Sequence, residues 1–79
     1  MSDVKQRVIN VIAQTLKVDE ARITDNARFV EDLGAESIQS IELIAAFEEE
    51  FDLDMDEDAA VAVKTVGGAV DFIQERLDD

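Results

Sequence analysis

The sequence predicts an all-α fold, a small bundle of three main helices plus one short helix, with a long loop between helices 1 and 2. Three observations carry this. Proline is absent, apolar residues recur at spacings of three and four, and the strict alternation of half-buried strands is rare. The 79 residues are expected to form a single domain, residues 1–79, at a size where burial leaves only a modest margin of stability.

The first helix is expected from about Asp3 to Leu16, capped by Ser2. Val4, Val8, Val11, Ile12 and Leu16 form one core-facing stripe. A long connection follows, from about Lys17 to Glu36. A loop of that length needs anchors in a small domain, and Ile23, Phe29 and Leu33 are the apolar residues available. Gly34 relaxes the chain just before the next helix.

The second helix is expected from about Ser37 to Phe51. Leu43, Ile44, Phe47 and Phe51 share a sector of about 100°, and Ile38, Glu42, Ala45 and Glu49 fall on the opposite face. Asp52 to Asp58 is an acidic turn leading into a short helix near Asp56 to Val61, with Asp56 as N-cap. A final helix is expected from Val66 to Leu77, capped by Thr65, with a stripe of Val66, Ala69, Val70, Ile73 and Leu77. Gly67 and Gly68 in its first turn each cost about 1 kcal/mol of helix propensity, so they predict either close packing or fraying.

Composition excludes several functions. The chain has no cysteine and no histidine, so it has no disulfide, no thiolate metal site and no Ser–His triad. The N-terminus has no basic stretch followed by a long apolar run, and no apolar segment approaches a membrane span. These features predict a cytoplasmic monomer without membrane insertion. A net charge of −13 opposes binding to nucleic acid. Twelve of the twenty acidic residues lie between Phe29 and Val63, a stretch with no Lys or Arg. Solubility alone does not require that segregation. It suits partners with basic patches, because charges of this kind steer encounter.

Ser37 heads the second helix. Serine is a common N-cap, and a phosphate-linked group at the same place would gain from the helix dipole and free N–H groups. The acids Glu48, Glu49 and Glu50 lie at the unfavourable end of that dipole, where like charges also repel. Local stability therefore opposes them, and the recruitment of basic partners accounts for them better than a solvated face does.

The segment Leu33-Gly34-Ala35-Glu36-Ser37-Ile38-Gln39-Ser40-Ile41-Glu42-Leu43 resembles the attachment segment of acyl carrier proteins, whose hallmark is Gly-x-Asp-Ser-Leu. Phe29-Val30-Glu31-Asp32-Leu33 before it, Glu48-Glu49-Glu50-Phe51 after it, Asp56-Glu57-Asp58-Ala59 and Thr65-Val66 extend the likeness along essentially the whole chain. The resemblance implies a non-enzymatic carrier. A phosphopantetheinyl transferase would attach 4′-phosphopantetheine from coenzyme A to Ser37, and the arm's thiol would hold acyl groups as thioesters for partner enzymes of fatty acid, polyketide or related lipid biosynthesis. It implies partner contacts at Ile38, Glu42 and Ala45, joined by Glu48 and Glu49. Glu36, where the family usually has aspartate, bears on transferase recognition. It also implies that acyl chains slip between the helices, with Leu43, Ile44 and Phe47, facing the first and last helices, and Ser40, at the entrance one turn after Ser37, as pocket candidates. Glu36, Ile38, Gln39, Met55 and Gly67-Gly68 depart from the family pattern and point to a specialised rather than housekeeping member.

Three other readings compete. A peptidyl, D-alanyl or aryl carrier is the nearest, but Ala35-Glu36 favours the acyl type. A calcium site is suggested by Asp52-x-Asp54-x-Asp56, which matches the first three ligand positions of an EF-hand. The match ends at Glu57 and Val63, where glycine and a bidentate acid are required, leaving only weak divalent binding at Asp52, Asp54 and Asp56. An enzyme built on paired carboxylates has few means here of forming a preorganised cleft.

Overall fold

A computed structural model describes residues 3–78. Four helices make up the bundle: α1 (Val4–Leu16), α2 (Ser37–Phe51), α3 (Glu57–Val61) and α4 (Val66–Asp78), with a short 3-10 turn at Glu20–Arg22. α1 packs against α2 and α4, and α3 packs against α2. The described residues form no strand, only an isolated bridge between Arg28 and Thr65.

α1 buries all five residues of its stripe, and Val8 and Ile12 are completely enclosed. Full burial of such a side chain contributes about 1.5–3 kcal/mol. Its cap is Asp3, whose carboxylate accepts the Gln6 N–H at 3.1 Å; the expected cap, Ser2, lies outside the described residues. α4 contributes Val66, Ala69 and Ile73 to the same core. Leu77, expected on that stripe, is 39% exposed.

The long connection is held from both sides. Ile23, Phe29 and Leu33 are buried as expected, and so are Ala27 and Ala35. The loop also caps α4. Val66 N–H donates to Ala27 O at 3.0 Å and Gly67 N–H to Asp25 O at 2.8 Å, while Gly68 N–H donates to Thr65 Oγ1 at 3.1 Å. Three first-turn donors that would otherwise lack partners are thereby satisfied. The glycine pair is therefore a matter of close packing. A Cβ on Gly67 would stand 3.0 Å from Asp25 O.

Candidate functional site

The approach to Ser37 is built by the turn from Arg28 to Ala35. The Asp32 and Leu33 N–H groups donate to Arg28 O, each at 3.0 Å, and Gly34 N–H donates to Val30 O at 3.1 Å. The Asp32 carboxylate closes the turn by accepting the Arg28 N–H at 2.8 Å and Arg28 Nε at 3.3 Å. The Arg28 backbone N–H and then its guanidinium hold the Asp32 carboxyl below the usual carboxylate range. The Asp32 carboxylate in turn raises the Arg28 guanidinium. Gly34 takes φ +72°, in the left-handed region where side chains are strained. Ala35 N–H then donates to Phe29 O at 2.8 Å, which seats Ala35 in the core and delivers Glu36 to the start of α2.

Glu36, not Ser37, is the N-cap of α2, with extended backbone at φ −89° and ψ 166°. Gln39 Oε1 accepts the Glu36 N–H at 2.9 Å, half of a capping box. Ser37 is the first helical residue and is exposed. Its hydroxyl is therefore not committed to capping. One turn on, the half-buried Ser40 Oγ donates back to Glu36 O at 3.4 Å.

Beside Ser37 opens a cavity of about 840 Å³. Ser40, Leu43, Ile44 and Phe47 all line it. Its remaining walls come from α3, α4 and the flanking loops, through residues such as Val61, Phe72 and Met55. Of the two helices expected to face the pocket, α4 lines the cavity and α1 contributes no lining residue. Sequence reasoning missed three apolar residues at the opening: Val30 (56% exposed), Ile41 (53%) and Val61 (40%). Ile41 was detectable, since it lies four residues after Ser37 and so on the same helix edge. Val30 and Val61 sit in a turn and a one-turn helix, where periodicity carries no signal.

On the outer face of α2, Glu36, Ile38, Glu42, Ala45 and Glu49 are all exposed, with Ile38 at 65%. Glu48 departs from that group. It is half-buried, and its carboxylate accepts the Met55 N–H at 2.9 Å. Glu50 is likewise engaged. Arg7 Nε donates to Glu50 Oε2 at 2.8 Å, and Arg7 Nη2 to the Glu50 carbonyl at 2.7 Å. Two of the three acids at the end of α2 thus have structural partners, which corrects the expectation that local stability opposes the whole run. In the acidic turn, Asp52 forms the left-handed C-cap of α2 and Asp56 caps α3 by accepting the Asp58 N–H. Among the described residues no three acidic side chains converge to hold a metal.

A free hydroxyl at a helix head beside a largely apolar cavity is the arrangement of a carrier domain, a scaffold that displays a tethered group. Comparison with known proteins agrees. Residues 6–73 match the family model described as phosphopantetheine attachment site. The chain is 51% identical over 77 residues to an acyl carrier protein of Phenylobacterium zucineum, covering 98% of each chain. It is 46% identical over 76 residues to one of Caulobacter vibrioides, covering 96% of this chain and 97% of that one. A solved Mycobacterium tuberculosis structure assigned to the acyl carrier proteins superposes with a TM-score of 0.85 at 30% identity, covering 91% of this chain and 96% of that one. The chain belongs to the acyl carrier protein family. Its role is that of a carrier, not an enzyme, and its prosthetic group is 4′-phosphopantetheine.

Proposed function

We propose that Ser37 Oγ carries the 4′-phosphopantetheine arm, and that the cavity between α2, α3 and α4 shelters the acyl chain loaded on it. The observation that supports this best is the position of Ser37, exposed and released from capping by Glu36. The residues fit the group. A phosphodiester on Ser37 would lie at the positive end of a 15-residue helix, where the dipole and first-turn N–H groups favour an anion. When bound, the arm supplies a thiol that holds acyl groups as thioesters. The protein's own part is to hold the arm, shield its cargo and present it.

Ser40, Leu43, Ile44 and Phe47 are the wall residues we assign to the acyl chain. Apart from Glu31, Glu36, Ser37, Ser40 and Lys64 the lining is apolar, which favours acyl cargo over the more polar peptidyl or D-alanyl cargo. We assign Glu36, Ile38, Glu42, Ala45 and Glu49 to partner recognition, with Glu48 at the edge of that face. The partners are a phosphopantetheinyl transferase and acyl-transferring or synthase enzymes with basic patches, in fatty acid, polyketide or related lipid biosynthesis. We place this work in the cytoplasm and favour a specialised pathway, on the departures at Glu36, Ile38 and Gln39.

The test is intact-mass spectrometry after incubation with a phosphopantetheinyl transferase and coenzyme A. One arm should be added to the wild-type chain and none to Ser37→Ala. An arm still gained by Ser37→Ala would refute the assignment.

A further inference from the structure

We propose that Lys64 is a positioning residue for the prosthetic arm, its ammonium pairing with the phosphodiester on Ser37 and holding the arm over the rim of the groove. The inference rests on Ser37 being the attachment point.

The placement follows from backbone hydrogen bonds. Phe29 N–H donates to Lys64 O at 3.0 Å, and Phe29 O accepts the Ala35 N–H at 2.8 Å. Residues 64, 29 and 35 therefore lie side by side, with Phe29 in the middle. Neighbouring chains joined in this way are about 4.7–4.9 Å apart, so the Lys64 main chain stands within about 10 Å of Ala35, two residues before Ser37. A flexible four-carbon stem spans much of that gap. Lys64 and Ser37 both line the groove, and both are exposed.

Electrostatics gives the contact its purpose. Among the groove-lining residues Lys64 is the only cation, and Glu31 and Glu36 are the only acids. A phosphodiester on Ser37 adds a further negative charge beside both. Lys64 makes no ion pair within 4.0 Å among the described residues, unlike Lys5, which is 2.9 Å from Asp25, and Arg7, which is 2.8 Å from Glu50. Its ammonium is available to the new anion. Paired with it, the phosphodiester is drawn toward the groove side of α2 rather than the outer acidic face. The pantetheine chain then starts above the cavity and not in bulk solvent.

The experiment uses the intact chain in its apo and holo forms, with loading checked by mass. The three lysines, Lys5, Lys17 and Lys64, serve as each other's controls in side-chain NMR spectra. Loading should shift the Lys64 Cε–Hε resonance and leave those of Lys5 and Lys17 in place, and high salt should collapse the shift, as expected of an exposed ion pair. In Lys64→Gln the phosphodiester ³¹P resonance of the holo form should move from its wild-type position, and Lys64→Arg should restore it. A fully loaded protein whose Lys64 resonance coincides with that of the apo form would overturn the inference and leave Ser37 standing. A chain that gains no arm would overturn both.

Discussion

Replacing Arg7 by alanine tests whether the acidic end of α2 is balanced from within the fold. Arg7 makes three contacts there. Its guanidinium pairs with the Glu50 carboxylate at 2.8 Å, donates to the Glu50 carbonyl at 2.7 Å, and lies 4.4 Å from the centre of the Phe51 ring. The side chains of Arg7 and Glu50 are 43% and 39% exposed, so each contribution is set by partly solvated values. An exposed ion pair contributes about 0.2–1 kcal/mol. A cation at a helix C-terminus contributes about 0.3–1 kcal/mol, and a cation over a ring at an exposed site about 0.5–1 kcal/mol. All three share one guanidinium and do not simply add, so the expected loss is about 1–2 kcal/mol. For a chain of this length that is a fall in Tm of about 5–15 °C. Thermal unfolding followed by circular dichroism measures it, and in urea the midpoint should drop with the slope unchanged. Arg7→Lys keeps the charge but neither the planar fork nor the stacking, and should recover about half of the loss. A Tm for Arg7→Ala within 2 °C of wild type would refute the reasoning, and full recovery by lysine would reduce it to bare charge.

Gly67→Ala should destabilise the fold by about 1–2 kcal/mol despite the better helix propensity of alanine, because the new methyl meets Asp25 O at 3.0 Å; a stabilised variant would show that the loop withdraws freely. Asp32→Asn should lower stability at neutral pH. Because the folded-state acidity of Asp32 is enhanced, its contribution is complete above the usual carboxylate range and lost as the pH falls through its lowered value, so the gap between wild type and variant should close in acid. A gap independent of pH in paired unfolding curves would contradict this. Added NaCl or magnesium should raise the Tm, since a net charge of −13 repels itself; equal melting at low and high ionic strength would count against that repulsion.

Much of the fold was legible because local pattern and tertiary packing agree. The α1 stripe is fully buried, and a 3.6-residue period is all that is needed to find it. The loop anchors Ile23, Phe29 and Leu33 could be read because large apolar residues between helices have few other uses. The missed parts depend on residues far apart in sequence. Ala27 and Ala35 are too small to mark themselves as core. The capping of α4 by Asp25 O and Ala27 O is backbone chemistry that no side chain advertises. The fates of Glu48 and Glu50 depend on Met55 and Arg7, and a charge run read alone has no way to name them. Ser37 could be picked out from the residues around it. Its release from capping could not, because glutamate is an unusual cap and only the geometry shows Gln39 supporting it.

α2 carries apolar residues on more than one side because it serves three surroundings at once. Leu43, Phe47 and Phe51 belong to the core. Ser37, Ile41, Ile44 and Glu48, spaced by four, three and four, run along a second edge, and the first three of these line the cavity. Ile38, Glu42, Ala45 and Glu49 meet solvent. Such a helix cannot concentrate its hydrophobicity on one stripe, and it leaves Ile38 and Ile41 more than half exposed. An isolated chain with apolar residues displayed in this way tends to associate. The acids beside them oppose that tendency, because like charge keeps identical copies apart while still attracting a basic partner. The exposed isoleucines and the negative charge are therefore one arrangement: the charge discourages self-contact at the surface where the apolar residues lie open.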